Sequence, residues 1–444
     1  MIKIALMLCA VLSLAACSSS PSVSPTTPTS TSTSSSTTTS SGGGTPTVVN
    51  FATVTLDGGP AALNTGTNAY TAFNEPYVTI TLCAPGSATN CQTIDHIILD
   101  TGSVGLRIIQ PVLNASLLSA LTNETDASGN PVGECYQYVN SYAFGSVLQA
   151  DFAIAGEKVT NMPFQAIADT GTFASVPSAC SSGAGTSINS VQSFGANGII
   201  GVGTTTTDCG SICQAGNASG ASYYDCPKTG CATLIARFAS ATAPFQQLPN
   251  PVAAFATDNN GTIMVLPSVP KEGVPTLTGT VYFGIGTQTN NALGSQTVLP
   301  VTTSTSRLGP GTLSASYNGK TLSQSFLDSG SNEYFFIDTS LTPCTQTSWI
   351  AFYCPTSPLT LSPLLTATNG MTASASFTLY DPTKTILATS NVAPGIAVNP
   401  TLVKPPLPFA NSFDFGVPFF FGKSVYTAIE GRAAGGTNGP YFAY

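Results

Sequence analysis

The sequence predicts an all-β protein. Short runs in which apolar and polar residues alternate are frequent, as in residues 77–82, and this period of two is typical of half-buried strands. The chain contains 42 glycines and 32 prolines, which favour tight turns between short strands, and long amphipathic helical patterns are scarce. With 444 residues the chain is long enough for two domains and a large core.

The first 47 residues have the features of an exported and anchored protein. Lys3 precedes an apolar run over residues 4–16 that is too short to span a bilayer. The run leads into Leu14-Ala15-Ala16-Cys17, which resembles the bacterial lipobox and implies a signal peptide over residues 1–16 with a lipid on Cys17. Residues 17–47 are rich in Ser, Thr and Pro and predict a flexible tether. We expect a lipid-anchored protein of the bacterial cell envelope, with Ser18 favouring the outer membrane; the alternative is an ordinary cleaved signal peptide.

Composition excludes several classes of function. Charged residues make up only 7% of the chain, the formal net charge is −8 and there is no basic patch, so we expect no nucleic-acid partner. The single histidine, His96, would have to serve any Ser-His-Asp or Cys-His site and most catalytic zinc sites. A polar contact near the surface is the simpler interpretation of this residue. We therefore expect neither a metal nor a cofactor.

The cysteines predict disulfide bonds. Of the twelve, Cys9 and Cys17 lie in the N-terminal segment, and ten remain for pairing in an exported protein. These ten are Cys83, Cys91, Cys135, Cys180, Cys209, Cys213, Cys226, Cys231, Cys344 and Cys354. The spacing favours the pairs Cys83–Cys91, Cys135–Cys180 and Cys344–Cys354. It leaves the pairing of the four cysteines in residues 209–231 open, and a zinc site is the alternative there.

One motif occurs in both halves of the chain. Residues 98–103 read Ile-Leu-Asp-Thr-Gly-Ser, and residues 326–331 read Phe-Leu-Asp-Ser-Gly-Ser. In each copy a short apolar run would deliver the aspartate, Asp100 or Asp328, from a buried strand to a tight turn. Two carboxyl groups in contact cannot both ionise easily, so one holds a proton while the other acts as a base. Such a pair can activate water against a peptide carbonyl group.

These motifs and their companions resemble the pepsin-like aspartic peptidases over most of the chain. In that family an apolar pair followed by Gly packs behind each turn. Ile199-Ile200-Gly201 corresponds to this element in the first half and Asp414-Phe415-Gly416 in the second, with residues 420–422 as a rival placement. Residues 142–146, Tyr-Ala-Phe-Gly-Ser, match the start of the family's flap hairpin. The resemblance implies a bilobal double β-barrel with a cleft between a lobe over residues 48–286, which includes a cysteine-rich insert, and a lobe over residues 287–444.

The resemblance also implies a role for each site residue. Asp100 and Asp328 would share a proton and bind the attacking water between them. Tyr142 would close over an extended peptide or protein substrate. The supporting residues would be Ser103 and Ser331, which orient the carboxyl groups, and Gly102 and Gly330, which let the backbone approach them.

Three features depart from the family pattern. Arg107 stands where the family has an aromatic residue, and it would either donate a hydrogen bond to Tyr142 or place a cation near the carboxyl pair. Asp414 is polar where the family has an apolar residue. Residues 169–172 repeat the motif but lie too close to Gly201 to leave room for a flap hairpin, so we expect a loop there.

A closer resemblance is to uncharacterised proteobacterial lipoproteins that carry both motifs. For these proteins the resemblance implies a fold and leaves the activity open. Two functions are therefore considered: an envelope-anchored aspartic endopeptidase, and a catalytically inactive pepsin-fold lipoprotein that acts as a binding or scaffolding protein. Retention of both aspartates favours the first, whereas Arg107 and Asp414 favour the second.

Overall fold

The structure is a computed structural model that describes residues 49–444, apart from residues 66–68, 127, 139–140, 169–172, 174, 182–184, 210–220, 232, 235–246, 304–310, 404–406 and 408. The segments expected to form a signal peptide and a tether, with Cys17, therefore lie outside the described residues, as do Cys213 and the third motif copy at residues 169–172. Within the described ranges, no helix combines the length and the apolar character needed to cross a membrane.

Strands dominate the described residues, which confirms the all-β prediction. The strands are β1 Phe51–Leu56, β2 Pro76–Cys83, β3 Cys91–Asp100, β4 Val104–Ile109, β5 Thr122–Asn123, β6 Val132–Gln137, β7 Ser141–Ile154, β8 Glu157–Ile167, β9 Thr186–Ser187, β10 Gly198–Val202, β11 Ala221–Asp225, β12 Thr233–Leu234, β13 Gly261–Leu266, β14 Leu277–Phe283, β15 Val298–Pro300, β16 Leu313–Tyr317, β17 Lys320–Leu327, β18 Tyr334–Phe335, β19 Leu359–Leu361, β20 Leu364–Thr366, β21 Thr372–Ser374, β22 Phe377–Leu379, β23 Ala397–Val398, β24 Asp414–Phe415, β25 Lys423–Ala428, β26 Ala433–Ala434, β27 Thr437–Asn438 and β28 Tyr441–Ala443.

The helices that the structure describes are short. The α-helices are Ala115–Ala120, Ser178–Ser181, Val191–Phe194 and Pro382–Thr385. Single 3₁₀ turns occur at Ala61–Asn64, Gln110–Val112, Thr347–Trp349 and Val417–Phe419. The helices therefore serve as connections between strands, as the abundance of glycine and proline predicts.

Two sheets contain most of the strands. The larger has 17 strands and includes β1 to β15 together with β25 and β28. The smaller has seven, in the order β21-β20-β16-β17-β24-β18-β23. Strand β25 pairs antiparallel with β13, and β28 pairs with β25 and β15, so the end of the chain joins the sheet of the first half. The boundary predicted between residues 286 and 287 does not separate the two sheets.

The strands that support the site are buried where they approach it. The last four residues of β3 and the last three of β17 are buried. Strand β4 pairs with β10 on one edge and with β8 on the other, and all six of its residues are buried, as expected of a strand covered on both faces. The largest apolar cluster includes Leu99 of β3, Leu327 of β17 and Phe415 of β24, so the ends of these strands share one core.

Disulfide bonds confirm the three pairs favoured by the sequence. They join Cys83 to Cys91, Cys135 to Cys180 and Cys344 to Cys354. A further bond joins Cys226 to Cys231, so these two sulfur atoms are not free thiolates for a zinc ion. Cys209 is also disulfide-bonded. Within the described residues, one group of possible ligand atoms lies within 4.8 Å, namely Cys344, Cys354 and Asp381, but its two sulfurs are bonded to each other.

Candidate active site

Each of the two motifs forms a turn that holds its aspartate. Asp100 is the last residue of β3, Asp328 directly follows β17, and both are fully buried. In each turn the carboxylate Oδ1 accepts a backbone N–H from two residues further on, at 2.8 Å. A serine hydroxyl three residues further on contacts Oδ2, at 2.6 Å in the first turn and 3.0 Å in the second. These partners are Gly102 and Ser103, and Gly330 and Ser331.

A short strand packs behind each turn. Strand β10 pairs parallel with β3 and antiparallel with β4, which places Ile199-Ile200-Gly201 behind the first turn. Strand β24 pairs parallel with β17 and antiparallel with β18, which places Asp414-Phe415-Gly416 in the same position in the second half. Residues 420–422 lie beyond this position, where Phe421 bridges to Leu266, so the rival placement does not hold.

The two turns interlock by a symmetric exchange of hydrogen bonds. The backbone N–H of Thr101 donates to Oγ of Ser329, and the backbone N–H of Ser329 donates to Oγ1 of Thr101, both at 3.0 Å. The two hydroxyl groups donate in turn to the carbonyl groups that precede the opposite aspartate. Ser329 donates to Leu99 at 2.8 Å and Thr101 to Leu327 at 3.3 Å. Each half thus completes the turn of the other.

The interlock brings the two carboxyl groups together. A Cβ atom added to Gly102 would lie 2.4 Å from Cγ of Asp328, and one added to Gly330 would lie 2.6 Å from Oδ1 of Asp100. Glycine is therefore required at both positions, since any side chain would meet the opposite carboxyl group. The two carboxyl groups also share a hydrogen bond. Burial, the charge of Asp328 and that hydrogen bond raise the pKa of Asp100, so Asp100 retains a proton well above the ordinary range of an aspartate.

A third carboxyl group lies beside this pair. Oγ of Ser331 is 3.0 Å from Oδ2 of Asp328 and 2.7 Å from Oδ2 of Asp414. Asp414 is fully buried, and its Oδ1 has no hydrogen-bond partner among the residues that the structure describes. Burial, followed by the charge of Asp328, raises the pKa of Asp414.

The hairpin β6–β7 carries tyrosines on both of its faces. Tyr136 pairs with Ala143, so Tyr142, one residue earlier, faces the opposite side of the hairpin. Tyr142 packs against a buried cluster that includes Cys135, Cys180, Cys226 and Cys231. Burial is the main cause of the raised pKa of Tyr136 and Tyr138, and the charge of Asp100 contributes to both shifts. The flap role expected of Tyr142 stays a prediction, while Tyr136 and Tyr138 are the hairpin tyrosines whose pKa responds to the charge of Asp100.

Arg107 occupies a buried charge network in place of the expected contact with the flap tyrosine. Its Nη2 donates to Glu134 at 2.6 Å and to Asp208 at 3.1 Å, and its Nη1 donates to the carbonyl of Val104 at 2.8 Å. The guanidinium also lies 3.8 Å from the centre of the Tyr136 ring. The cation is therefore balanced by two carboxylates, which weakens the argument that it suppresses the shared proton.

The acidic side of this network is also held by hydrogen bonds. The hydroxyl of Tyr223 donates to the carboxylate of Asp208, whose two oxygens lie 2.8 and 2.9 Å from it. Burial and the neighbouring charge of Glu134 raise the pKa of Asp208, and Arg107 opposes this shift. The network stays neutral or nearly so only while its single cation is present.

Comparison with known proteins gives a family without an assigned activity. The family described as Protein of unknown function (DUF3443) matches residues 16–444. The chain belongs to this family. The match covers both carboxyl-bearing turns and both strands behind them, and it confirms the expectation of an uncharacterised family. No curated protein matches the chain.

Several buried polar residues near the candidate site were not singled out from the sequence. Glu134 and Asp208 hold Arg107, and Tyr138 adds a buried hydroxyl without a hydrogen-bond partner among the described residues. The sequence did contain an indication that acidic residues such as Glu134 and Asp208 would be needed. Arg107 lies inside the apolar strand β4, and a buried guanidinium requires an acidic partner. No spacing rule points to Glu134 or Asp208 in particular, because both come from distant segments.

Proposed function

We propose that the protein is a pepsin-like aspartic endopeptidase with two lobes and a substrate cleft between them. The observation that carries the proposal is the contact between Asp100 and Asp328 at two interlocked turns. Two buried carboxyl groups that share a hydrogen bond hold one proton between them, which is the protonation state needed for peptide hydrolysis.

In the proposed reaction, one carboxyl group acts as a base and the other as an acid. Asp328 acts as the base and removes a proton from a water molecule bound between the pair. The water oxygen attacks the peptide carbonyl carbon while Asp100 gives its proton to the carbonyl oxygen. The tetrahedral intermediate then collapses as the C–N bond breaks. The amine leaves with the proton that Asp328 took from water, and the gem-diol returns a proton to Asp100.

An extended peptide or protein is the proposed substrate, as the resemblance to the pepsin-like peptidases implies. Tyr136 lies on the face of the β6–β7 hairpin opposite Tyr142, and the charge of Asp100 contributes to the raised pKa of both Tyr136 and Tyr138. The lipobox at Cys17 and the uncharged tether would hold this site near a membrane of the cell envelope.

The binding or scaffolding function is the second candidate, but no observation now favours it. Its two sequence arguments were the cation of Arg107 and the polar Asp414. The first is balanced by Glu134 and Asp208, and the second is accommodated behind the second turn in the regular register.

The test is peptide cleavage by the purified full chain in detergent, with a broad peptide library over the pH range in which the protein is folded. Asp100→Asn and Asp328→Asn should each abolish cleavage and leave the circular dichroism spectrum intact, because Asn keeps the shape but cannot exchange the proton. The matched control is Asp169→Asn, at the third copy of the motif, which should change little. The pH–rate profile should be bell-shaped.

Two results would overturn the proposal. Cleavage that survives the loss of both Asp100 and Asp328 would exclude the shared-proton mechanism. A wild-type chain that cleaves no peptide at any pH would favour the binding function instead, and binding of a pepstatin-type inhibitor would then show whether the cleft still accepts a peptide.

A further inference from the structure

The second turn differs from the first in one respect that affects its proton. Asp414 occupies the position behind the second turn that Ile199 occupies behind the first, two residues before Gly416 and Gly201 respectively. Ser103 therefore contacts Asp100 alone, whereas Ser331 lies between Asp328 and Asp414. The first turn, with Ile199 behind it, can therefore be compared with the second turn, with Asp414 behind it, to show the effect of a carboxyl group at this position.

A count of protons decides how Ser331 can serve two carboxyl groups. The serine hydroxyl has one hydrogen, but it lies within hydrogen-bond distance of both Asp328 and Asp414. Both contacts are hydrogen bonds only if one carboxyl group donates a hydrogen of its own to Oγ. Otherwise two lone pairs face each other across one of the contacts.

The surroundings assign that hydrogen to Asp414. Asp328 accepts a backbone N–H from Gly330 and shares a hydrogen bond with Asp100, so a negative charge on it is stabilised. Asp414 is fully buried, its Oδ1 has no partner, and its Oδ2 meets only Ser331 among the described residues. A carboxylate with so little compensation is costly in a buried site, and the neutral acid is favoured.

We propose that Asp414 is a positioning residue that stays protonated, donates to Ser331, and so directs the Ser331 hydrogen onto Asp328, the base of the proposed pair. The kinetic part of this inference rests on the proposed peptidase function. The protonation state of Asp414 does not.

The charged groups around Asp414 agree with this assignment. Asp328, which directly follows β17, and Asp100, at the end of β3, both raise the pKa of Asp414 in addition to burial. On β18 its pairing partner is the apolar Phe335. Glu333, which precedes β18, interacts with Glu75 and has a pKa raised to about 8, mainly by burial. None of these groups offers Asp414 a positive charge.

The first experiment measures the proton directly and needs no activity. The full chain is labelled with ¹³C at the aspartate carboxyl carbon, and the NMR signal that is lost in Asp414→Asn identifies Asp414. We expect this signal to keep the chemical shift of a neutral acid from acidic pH to above neutrality. Titration near the ordinary value of about 3.9 would overturn the proposal. Should Asp414→Asn fail to fold, Asp414→Ile, which copies Ile199, gives the same assignment.

The second experiment separates a proton donor from a space-filling side chain. In Asp414→Ile, Ser331 loses the donor behind it, and the acid limb of the kcat/KM profile should move up by about half a pH unit because the ionised form of Asp328 is less favoured. In Asp414→Asn an amide N–H can still donate to Ser331, so the acid limb should return towards its wild-type position. A downward shift in Asp414→Ile would show that Asp414 carries a charge, and no shift would show a purely structural role; either result overturns the proposal.

The two experiments keep the inference separate from the proposed function. If the wild-type chain cleaves no peptide, the peptidase proposal fails, and the NMR titration still decides whether Asp414 is protonated. If the chain cleaves peptides and Asp414 titrates as an ordinary aspartate, the peptidase proposal stands and the inference about Asp414 fails.

Discussion

Replacing Arg107 with Met tests the buried charge network and the interpretation of this residue. Arg107, Glu134 and Asp208 have fully buried side chains, and the guanidinium donates to both carboxylates. Methionine keeps the apolar length of the arginine stem but removes the cation. The change therefore leaves two carboxyl groups buried side by side without a counter-charge.

The expected loss follows from this geometry. Removing one partner of a buried ion pair costs about 3–5 kcal/mol, and we expect Arg107→Met to lower the free energy of unfolding by that amount at neutral pH. The pKa of Asp208 is already raised by burial and by Glu134, and Arg107 holds it down. Without Arg107 the pKa of Asp208 rises further. The loss should therefore shrink as the pH falls and the carboxyl groups take up protons.

The assay is urea unfolding followed by circular dichroism at several pH values. The control is Arg432→Met, at a half-buried arginine that donates to one carbonyl group, with an expected loss of about 1 kcal/mol. The triple variant Arg107→Met with Glu134→Gln and Asp208→Asn should recover much of the stability. An Arg107→Met loss below about 1 kcal/mol, or one that does not change with pH, would refute the reasoning.

Three further predictions concern separate features. Gly330→Ala should abolish cleavage in the peptide assay, since its methyl group would lie 2.6 Å from Oδ1 of Asp100. Removing the Cys135–Cys180 bond by a double change to Ser should lower the urea unfolding free energy by about 4 kcal/mol, because the bond closes 45 residues. His96, whose pKa is raised chiefly by a hydrogen bond to Asp57, stabilises the fold when protonated. The difference in Tm between wild type and His96→Gln should therefore be largest below pH 6.5 and disappear as the pH rises through the raised pKa.

The sequence was sufficient for the features that depend on local pattern. Alternating runs predicted the strands, and the repeated motif located both Asp100 and Asp328, because the turn chemistry requires those residue types at fixed spacing. The short cysteine pairs followed from proximity along the chain. The family of unknown function was also expected from the two motifs.

The sequence was insufficient where the outcome depends on strand register or on distant partners. The sequence did not show on which face of the β6–β7 hairpin each aromatic residue lies, because a shift of one residue exchanges the two faces of a strand. In the structure Tyr136 and Tyr142 lie on opposite faces. Glu134 and Asp208 meet Arg107 only after folding, and no local pattern connects them. The pairing of β25 with β13 likewise joins segments that the sequence placed in different domains.

The interlock between the two turns couples assembly to chemistry. Thr101 and Ser329 are 228 positions apart, yet each supplies hydrogen bonds that the other's turn needs. During synthesis the first turn emerges long before the second, and at that stage it holds a single carboxyl group with no neighbour to share its proton. The proposed catalytic pair comes into existence only when both halves have docked. A nascent or half-folded chain would therefore be harmless to itself and to its neighbours until folding is complete.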